Sequence, residues 1–278
     1  MAKGKSQNSG SGRVKKNRRR KHRLRVGMIL VVLVACAVFA VLSLTTLFRV
    51  ESFVVSGELG RYTPEQVIEA SGVALGTNLF SVKTGEVSAR IEEQLPYVRE
   101  ATVKIRLPDR ILIEVGQTQA AAVVETNLGC FQIDDTHKIL AEAEPADGLI
   151  FRGIVLDSVQ IGRRAQYSDE NAASILSALM DGLRETGMDA VQDVDLTDLY
   201  AIEVQYNDLL TIKLGGATDL QKKLRFARYV IDEKLDPAQR GTLDLSVNVN
   251  QAIFRPDYGS MDIINRPPES VSSASSVS

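Results

Sequence analysis

Three short segments of the chain contain residue types that could do chemistry, and the first is Lys83-Thr84-Gly85. In penicillin-binding proteins a Lys-Thr-Gly element follows a Ser-x-x-Lys nucleophile and a Ser-x-Asn element. Residues 49–278 contain no Ser-x-x-Lys, and the segment Ser168 to Asn171, which comes closest to the second element, lies after the tripeptide instead of before it. The tripeptide therefore indicates a loop before a helix and no acyl-transfer site.

The other two segments surround His137 and the acidic run of Asp193, Asp195 and Asp198. A Ser-His-Asp triad would depend on His137, and a zinc site would need more Cys and His than follow residue 49. We therefore expect His137 to be a surface residue in a strand beside a turn. The acidic run lacks the glycine and distal glutamate of a calcium loop, which favours a polar connection into the next strand. The sequence predicts no catalytic residue, no metal site, no cofactor and no enzyme activity.

Charge along the chain predicts how it sits in a membrane. Residues 1–25 hold eleven Lys and Arg and no acid, so a net charge of −2 for the whole chain leaves −13 for the rest. Residues 26–48 contain no charged residue, and 23 residues would extend about 34 Å as a helix, enough to cross a bilayer. Because the basic flank of a membrane helix stays on the cytoplasmic side, the sequence predicts a cytoplasmic tail at 1–25, a transmembrane helix at 26–48 and extracytoplasmic domains after it.

Residues 1–48 allow three other interpretations. A cleaved secretory signal would have a shorter apolar core followed by an A-x-A-like site, but this apolar run continues well past such a length. The run Leu33 to Cys36 resembles a lipoprotein cleavage box, but cleavage there would leave the second half of the apolar run without a function. The basic tail could bind nucleic acid, but it has no aromatic residue to stack on bases, so we expect it to contact anionic lipid. Cys36 and Cys130 lie on different sides of the predicted membrane boundary, which predicts folding without a disulfide.

Residues 48–115 predict the order strand, helix, helix, strand, strand. A strand rich in β-branched residues comes first, and Thr63, Pro64 and Gln66 then form a capping box that begins a helix. A second helix ends at Pro96. Alternating apolar residues on both sides of Pro108-Asp109 predict a hairpin. We expect both helices to cover one face of this small sheet.

After about residue 120 the pattern changes to short strands with two helices. Ser168 is the expected N-cap of a helix that runs to Thr186, and Thr218 is the expected N-cap of a second helix. Asn207-Asp208 predicts a hairpin turn between these helices. The segment from Leu243 to Val249 alternates strictly, and the segment from Gln251 to Pro256 follows it closely. The alternation puts four residues on one face: Leu243, Leu245, Val247 and Val249.

The segments "YTPEQVIEASGV", "GTNLFSV" and "LPYVREATVKIRLPDRILIEV" resemble a POTRA domain, and the whole chain resembles the FtsQ/DivIB family of bacterial cell-division proteins. The resemblance implies an α+β protein with a single transmembrane helix followed by a POTRA domain of order β-α-α-β-β at residues 49–118. A mostly antiparallel β domain backed by helices follows at 119–256, and a flexible C-terminal tail at 257–278.

The resemblance also implies a non-enzymatic membrane scaffold of the divisome, concentrated at the division septum and promoting septum formation. Its partners would be bitopic division proteins of the FtsB/DivIC and FtsL type, with no small-molecule substrate. Binding would occur by β-addition at an edge strand near the C-terminus. We expect the side chains of Leu245, Val247 and Val249 to pack in the core of the sheet, with their backbone as the contact, and the side chain of Phe254 to contact the partner. An envelope assembly or signalling protein with a different membrane partner is the alternative. The expected positions are Leu245, Val247, Val249, Ala252, Ile253 and Phe254.

Overall fold

The computed structural model describes residues 27–39, 47–144, 148–257 and 262–265. A helix, α1, covers residues 27–39. Within these ranges no helix combines the length and the apolar character needed to cross a membrane. The predicted transmembrane helix at 26–48 includes residues outside the described ranges, as does the basic tail at 1–25, so both stay predictions.

Residues 47–118, here called the small-sheet unit, form a three-stranded sheet in the order β1-β3-β2. Strand β1 pairs in parallel with β3, and β2 pairs antiparallel with β3. The predicted order of strand, helix, helix, strand, strand is confirmed. The elements are β1 (Ser52–Gly57), α2 (Pro64–Ser71), a 3₁₀ turn (Leu79–Ser81), α3 (Thr84–Gln94), β2 (Val98–Arg106) and β3 (Arg110–Gln117).

Local signals explain why these elements begin and end where they do. The amide of Thr63 donates to the Gln66 side chain, and the Thr63 hydroxyl accepts from the Gln66 amide, so the predicted capping box begins α2. Gly72, with φ 64°, ends this helix in the left-handed conformation. The hairpin predicted at Pro108-Asp109 is present, and its register puts Val103 opposite Ile113. The buried side chains of this core include Val67, Leu79, Val87, Ile91, Ile111 and Ile113.

Residues 119–265, here called the large-sheet unit, contain a ten-stranded sheet in the order β15-β14-β13-β12-β11-β10-β7-β4-β5-β6. Six of its nine neighbouring pairs are antiparallel, and the pairs β4-β7, β7-β10 and β12-β13 are parallel. The strands are β4 (Ala122–Thr126), β5 (Gly129–Ile133), β6 (Ile139–Glu142), β7 (Ile150–Ile154), β10 (Val191–Asp195), β11 (Ile202–Tyr206), β12 (Leu210–Gly215), β13 (Gly241–Asn248), β14 (Gln251–Pro256) and β15 (Asp262–Asn265). A separate two-stranded ribbon contains β8 (Leu156–Ser158) and β9 (Gln166–Tyr167).

Two helices, α4 (Glu170–Thr186) and α5 (Leu220–Lys234), pack their apolar residues into the core of the large sheet. The expected N-cap Ser168 is wrong by one residue, because its hydroxyl donates to Asp157 and leaves Asp169 to accept from the first turn. The expected N-cap Thr218 is also wrong. Asp219 takes that position with φ 57° and makes no side-chain capping bond.

The two units meet at a junction between α3 and the turn that joins β5 to β6. The Lys138 ammonium crosses it and donates to the backbone oxygens of Glu92 at 2.8 Å and Val98 at 2.6 Å. Arg99 pairs with Asp135 at 2.8 Å on the same side. These contacts hold the small sheet at one end of the large-sheet strands, so the opposite strand ends face away from it.

Candidate partner-binding edge of the large sheet

The strand that ends the large sheet near the C-terminus is β15 and not the expected β14. Residues 262–265 fall in the segment that the sequence placed in the C-terminal tail, yet they pair antiparallel with β14. The register puts Asn265 opposite Gln251 and Asp262 opposite Phe254. Strand β14 is therefore an inner strand, and β15 is the terminal strand among those described.

Three of the six expected contact residues are buried in the core. Leu245, Ala252 and Phe254 have no exposed surface, and all three belong to the cluster beneath α4 and α5. Phe254 was expected to contact a partner through its side chain, which the structure places inside the protein. Phe254 follows the half-buried Ile253 on β14, and neighbouring side chains of a strand point to opposite faces. The Phe254 ring therefore points to the face that the helices cover.

A bulge in β13 separates the other two residues from the core. Asp244 lies opposite Ile253 and Asn248 opposite Gln251, so three residues of β13 face one residue of β14. Val247 within the bulge is 79% exposed, and Val249 in the following turn is half-buried. The expected strict alternation through Val247 and Val249 is therefore wrong.

The bulge is stabilised by the Asp244 carboxylate. Its Oδ1 accepts from the Ser246 amide at 3.0 Å and from the Ser246 hydroxyl at 2.6 Å. Burial raises the pKa of Asp244. The two bonds from Ser246 and the charges of Arg255 and Lys213 lower it by more than burial raises it, so the net shift is downward. Gly215 on β12 permits the close approach, because a Cβ there would lie 2.8 Å from the Cβ of Ser246. The bulge thus holds Val247 in solvent at the strand ends that face away from the junction.

The residues considered for chemistry have structural partners instead. His137 was expected on the surface, but it is buried with φ 63°, and its Nε2 lies 3.0 Å from the Ser177 hydroxyl. Burial lowers the pKa of His137. Asp134, the nearby acid, accepts from the Thr118 hydroxyl and from the amides of Thr136 and Lys138. These bonds make Asp134 a turn residue, which is a different role from the orienting acid of a triad.

The carboxylates of the acidic run likewise have structural partners. Asp193 pairs with Arg152, Asp195 accepts from the Thr197 amide, and Asp198 accepts from the Tyr200 amide. The hydroxyl and amide of Thr197 lower the pKa of Asp195. Among the described residues no group of three or more His, Cys, Asp and Glu could hold a metal ion.

Comparison with known proteins finds one family domain and several similar proteins. The POTRA domain of the FtsQ type matches residues 48–116. The cell division protein FtsQ of Syntrophotalea carbinolica is 28% identical over 178 residues, which cover 62% of this chain and 61% of that protein. DivIB of Clostridium acetobutylicum is 22% identical over 189 residues (67% and 75%). FtsQ of Corynebacterium glutamicum is 26% identical over 200 residues (69% and 83%).

A match of a different kind is to a protein named transaldolase from Trichormus variabilis, at 27% identity over 209 residues, covering 66% of this chain and 62% of that protein. The family domain and the matches to division proteins agree with each other and with the strand, helix, helix, strand, strand order of residues 52–117. This chain contains a POTRA domain of the FtsQ type and is similar, over 62–69% of its length, to cell division proteins named FtsQ and DivIB.

Proposed function

We propose that the chain is a single-pass membrane scaffold of the bacterial division machinery that captures a partner strand at the β15 edge of its large sheet. The supporting observation is that β15 is the last strand of the sheet within the described residues. The outer side of such a strand presents backbone N–H and C=O groups that an extended segment can pair with. This moves the expected contact outward by one strand, from β14 to β15.

The six expected positions have two roles in this proposal. Leu245, Ala252 and Phe254 fix the last strands from inside the core. Val247, which is exposed on the bulge, offers an apolar side chain to a segment that passes the strand ends. Val249 and Ile253 are half-buried beside it and shape the rim of this surface.

The partners in this proposal are bitopic division proteins of the FtsB/DivIC and FtsL type, whose extracytoplasmic segments supply the added strand. Residues 1–25 lie in the cytoplasm and contact anionic lipid, and residues 26–48 anchor the chain in the membrane, where it concentrates at the division septum. The relatives support the division role through their names, which describe cell division proteins.

The proposed scaffold is not an enzyme, and its two buried lysines, Lys138 and Lys223, are structural groups in this proposal. A lysine that attacks a carbonyl substrate needs its amine free in a cavity. Lys138 lines a cavity of about 740 Å³ at the junction, but its amine already donates to two backbone oxygens. Lys223 is also buried and donates to the backbone oxygens of Leu214 and Gly216.

The edge assignment can be tested by photo-crosslinking in dividing cells. A photoreactive residue at Ile263 in β15 is expected to form an adduct with a bitopic division protein, identified by mass spectrometry. The same residue at Lys104 in β2 is the control, because its side chain is 60% exposed in the other unit. Adducts with such a protein from Lys104 but not from Ile263 would overturn the edge assignment.

The division role is tested separately with a fluorescent protein fused to the N-terminus. A midcell band that appears with constriction is the expected result. Uniform signal around the cell, from a fusion shown to be functional, would favour the alternative of an envelope protein with a different membrane partner.

A further inference from the structure

The loop that follows α2 is hydrogen-bonded through its backbone to residues 48–50, where the chain leaves the predicted membrane anchor. The Leu79 amide donates to the Phe48 oxygen at 3.0 Å, and the Val50 amide donates to the Thr77 oxygen at 2.9 Å. A bridge between Arg49 and Asn78 lies between these bonds. Residues 77–79 therefore lie beside residues 48–50 at the spacing of neighbouring strands, about 5 Å.

Phe80 projects from this loop into solvent. Its ring is 59% exposed and lies edge-on to the ring of Phe48, with centroids 5.2 Å apart. Leu47, beside it, is 64% exposed. Leu47, Phe48 and Phe80 together form an apolar surface, here called the juxtamembrane patch.

The backbone that holds Phe80 is rigid, so its exposure does not come from a loose loop. The 3₁₀ turn is capped by Asn78, whose Oδ1 accepts from the Phe80 amide at 2.8 Å. The Ser81 hydroxyl donates to the Asn78 oxygen at 2.7 Å. Leu79 is fully buried in the core of the small sheet and anchors the turn there. The turn therefore holds an aromatic side chain away from the core in a fixed direction.

The depth of Phe80 relative to the bilayer follows from that of Phe48. If residues 26–48 cross the membrane, Phe48 ends the apolar run and lies at the boundary between hydrocarbon and headgroups. Phe80, in contact with its ring, lies at nearly the same depth. Phe and Leu are the residue types that embed in this boundary when a protein lies on a membrane.

We propose that the 3₁₀ turn at Leu79–Ser81 inserts Phe80 into the extracytoplasmic leaflet, so that the POTRA domain contacts the lipid surface directly. This rests on the proposed anchor. A single helix leaves the domain free to swing about its connection, whereas a second contact fixes its tilt. The orientation of the POTRA domain then sets how far above the membrane the β15 edge stands.

The chain contains no tryptophan, which gives a direct test. The variant Phe80→Trp of the full-length protein, in lipid nanodiscs, carries a single tryptophan whose emission reports lipid contact. Lipids brominated on their acyl chains quench tryptophan only on contact, so the bromines are placed near the headgroup end for Phe80→Trp and Tyr200→Trp and at mid-chain for Val34→Trp. Phe80→Trp is expected to lose emission in brominated nanodiscs relative to unbrominated ones.

Two matched variants separate the possible outcomes. Tyr200→Trp, at a residue 87% exposed in the turn between β10 and β11, is expected to keep its emission. Val34→Trp, within α1, reports the anchor itself and is expected to be quenched. Quenching of Val34→Trp without quenching of Phe80→Trp overturns the proposed lipid contact and leaves the anchor intact. No quenching of Val34→Trp overturns the anchor, and equal quenching of Tyr200→Trp and Phe80→Trp overturns a contact specific to the patch.

Discussion

His137 shows how one buried side chain makes the stability of this protein depend on pH. Its imidazole contacts the ring of Tyr167, with centroids 5.4 Å apart, and the Ser177 hydroxyl on α4. Burial lowers its pKa, the charge of Asp134 raises it, Arg164 lowers it and Asp181 raises it, and the net shift is downward. The folded protein therefore binds a proton at His137 less tightly than the unfolded chain does.

This shift predicts that stability falls as the pH falls below the ordinary histidine pKa of about 6.5. In that pH range His137 is protonated in the unfolded chain but stays neutral in the folded protein. The variant His137→Asn removes the titrating group and suits the positive φ of 63° at this position, because asparagine tolerates left-handed backbone. We expect its free energy of unfolding to change less than that of the parent between about pH 7.5 and about pH 5.5.

Urea denaturation of both full-length proteins in detergent measures this difference. Other acidic and basic groups titrate alike in the two proteins, so the parent serves as the control for their contribution. Identical pH dependence in parent and variant would show that the His137 pKa is the same in the folded and unfolded states.

At the scale of elements, strands β13 and β14 carry both a buried side chain, Phe254, and an exposed one, Val247. Phe254 is fully buried, and Phe254→Ala is expected to lower the free energy of unfolding by about 3–5 kcal/mol, through lost burial and the cavity left behind. Val247 is 79% exposed, and Val247→Asp is expected to change the same quantity by no more than about 0.5 kcal/mol.

The two variants should then differ in what they do to partner binding. Val247→Asp leaves a folded protein with a charge on the proposed contact surface, so partner capture should weaken while the urea midpoint stays near that of the parent. Capture of the partner is measured by co-purification from dividing cells. A large loss of stability in Val247→Asp would mean that the bulge packs Val247 inside the protein, against its observed exposure.

Elements whose boundaries depend on a few neighbouring residues were predictable from the sequence. The capping box of Thr63 and Gln66 and the hairpin at Pro108-Asp109 both appear as expected, because their hydrogen bonds lie within the segment. The turn at Asn207-Asp208 also joins β11 to β12, with φ of 53° and 51° at its two central residues.

Elements that depend on distant residues were not predictable. The bulge at Val247 needs Gly215, which lies about thirty residues earlier, to admit Ser246. Strand β15 has only four residues, and what makes it a strand is the unpaired side of β14. Alternation on β13 continues past the bulge in the sequence, so periodicity alone could not reveal that Val247 leaves the core.

At the scale of the whole molecule, the junction determines whether the two units move as one body. Lys138 is buried there, and burial lowers its pKa, against the opposing charges of Glu92 and Asp134. Its ammonium satisfies two backbone oxygens of the small-sheet unit from a turn of the large-sheet unit. Glu93 adds a bond to Arg163 at 3.0 Å. The large-sheet unit is thus mechanically connected to the POTRA domain.

This connection predicts the effect of a methyl group placed at the contact itself. Gly162 has φ 86°, and a Cβ there would lie 2.1 Å from the backbone oxygen of Glu93, so Gly162→Ala must push the units apart at an expected loss of about 1–3 kcal/mol. Gly76→Ala is the control, because its φ of 83° gives similar backbone strain but its Cβ would meet open space. Amide hydrogen exchange should quicken in residues 92–99 and 160–166 for Gly162→Ala alone. Equal protection of these segments in both variants would contradict the expected separation of the two units at Gly162.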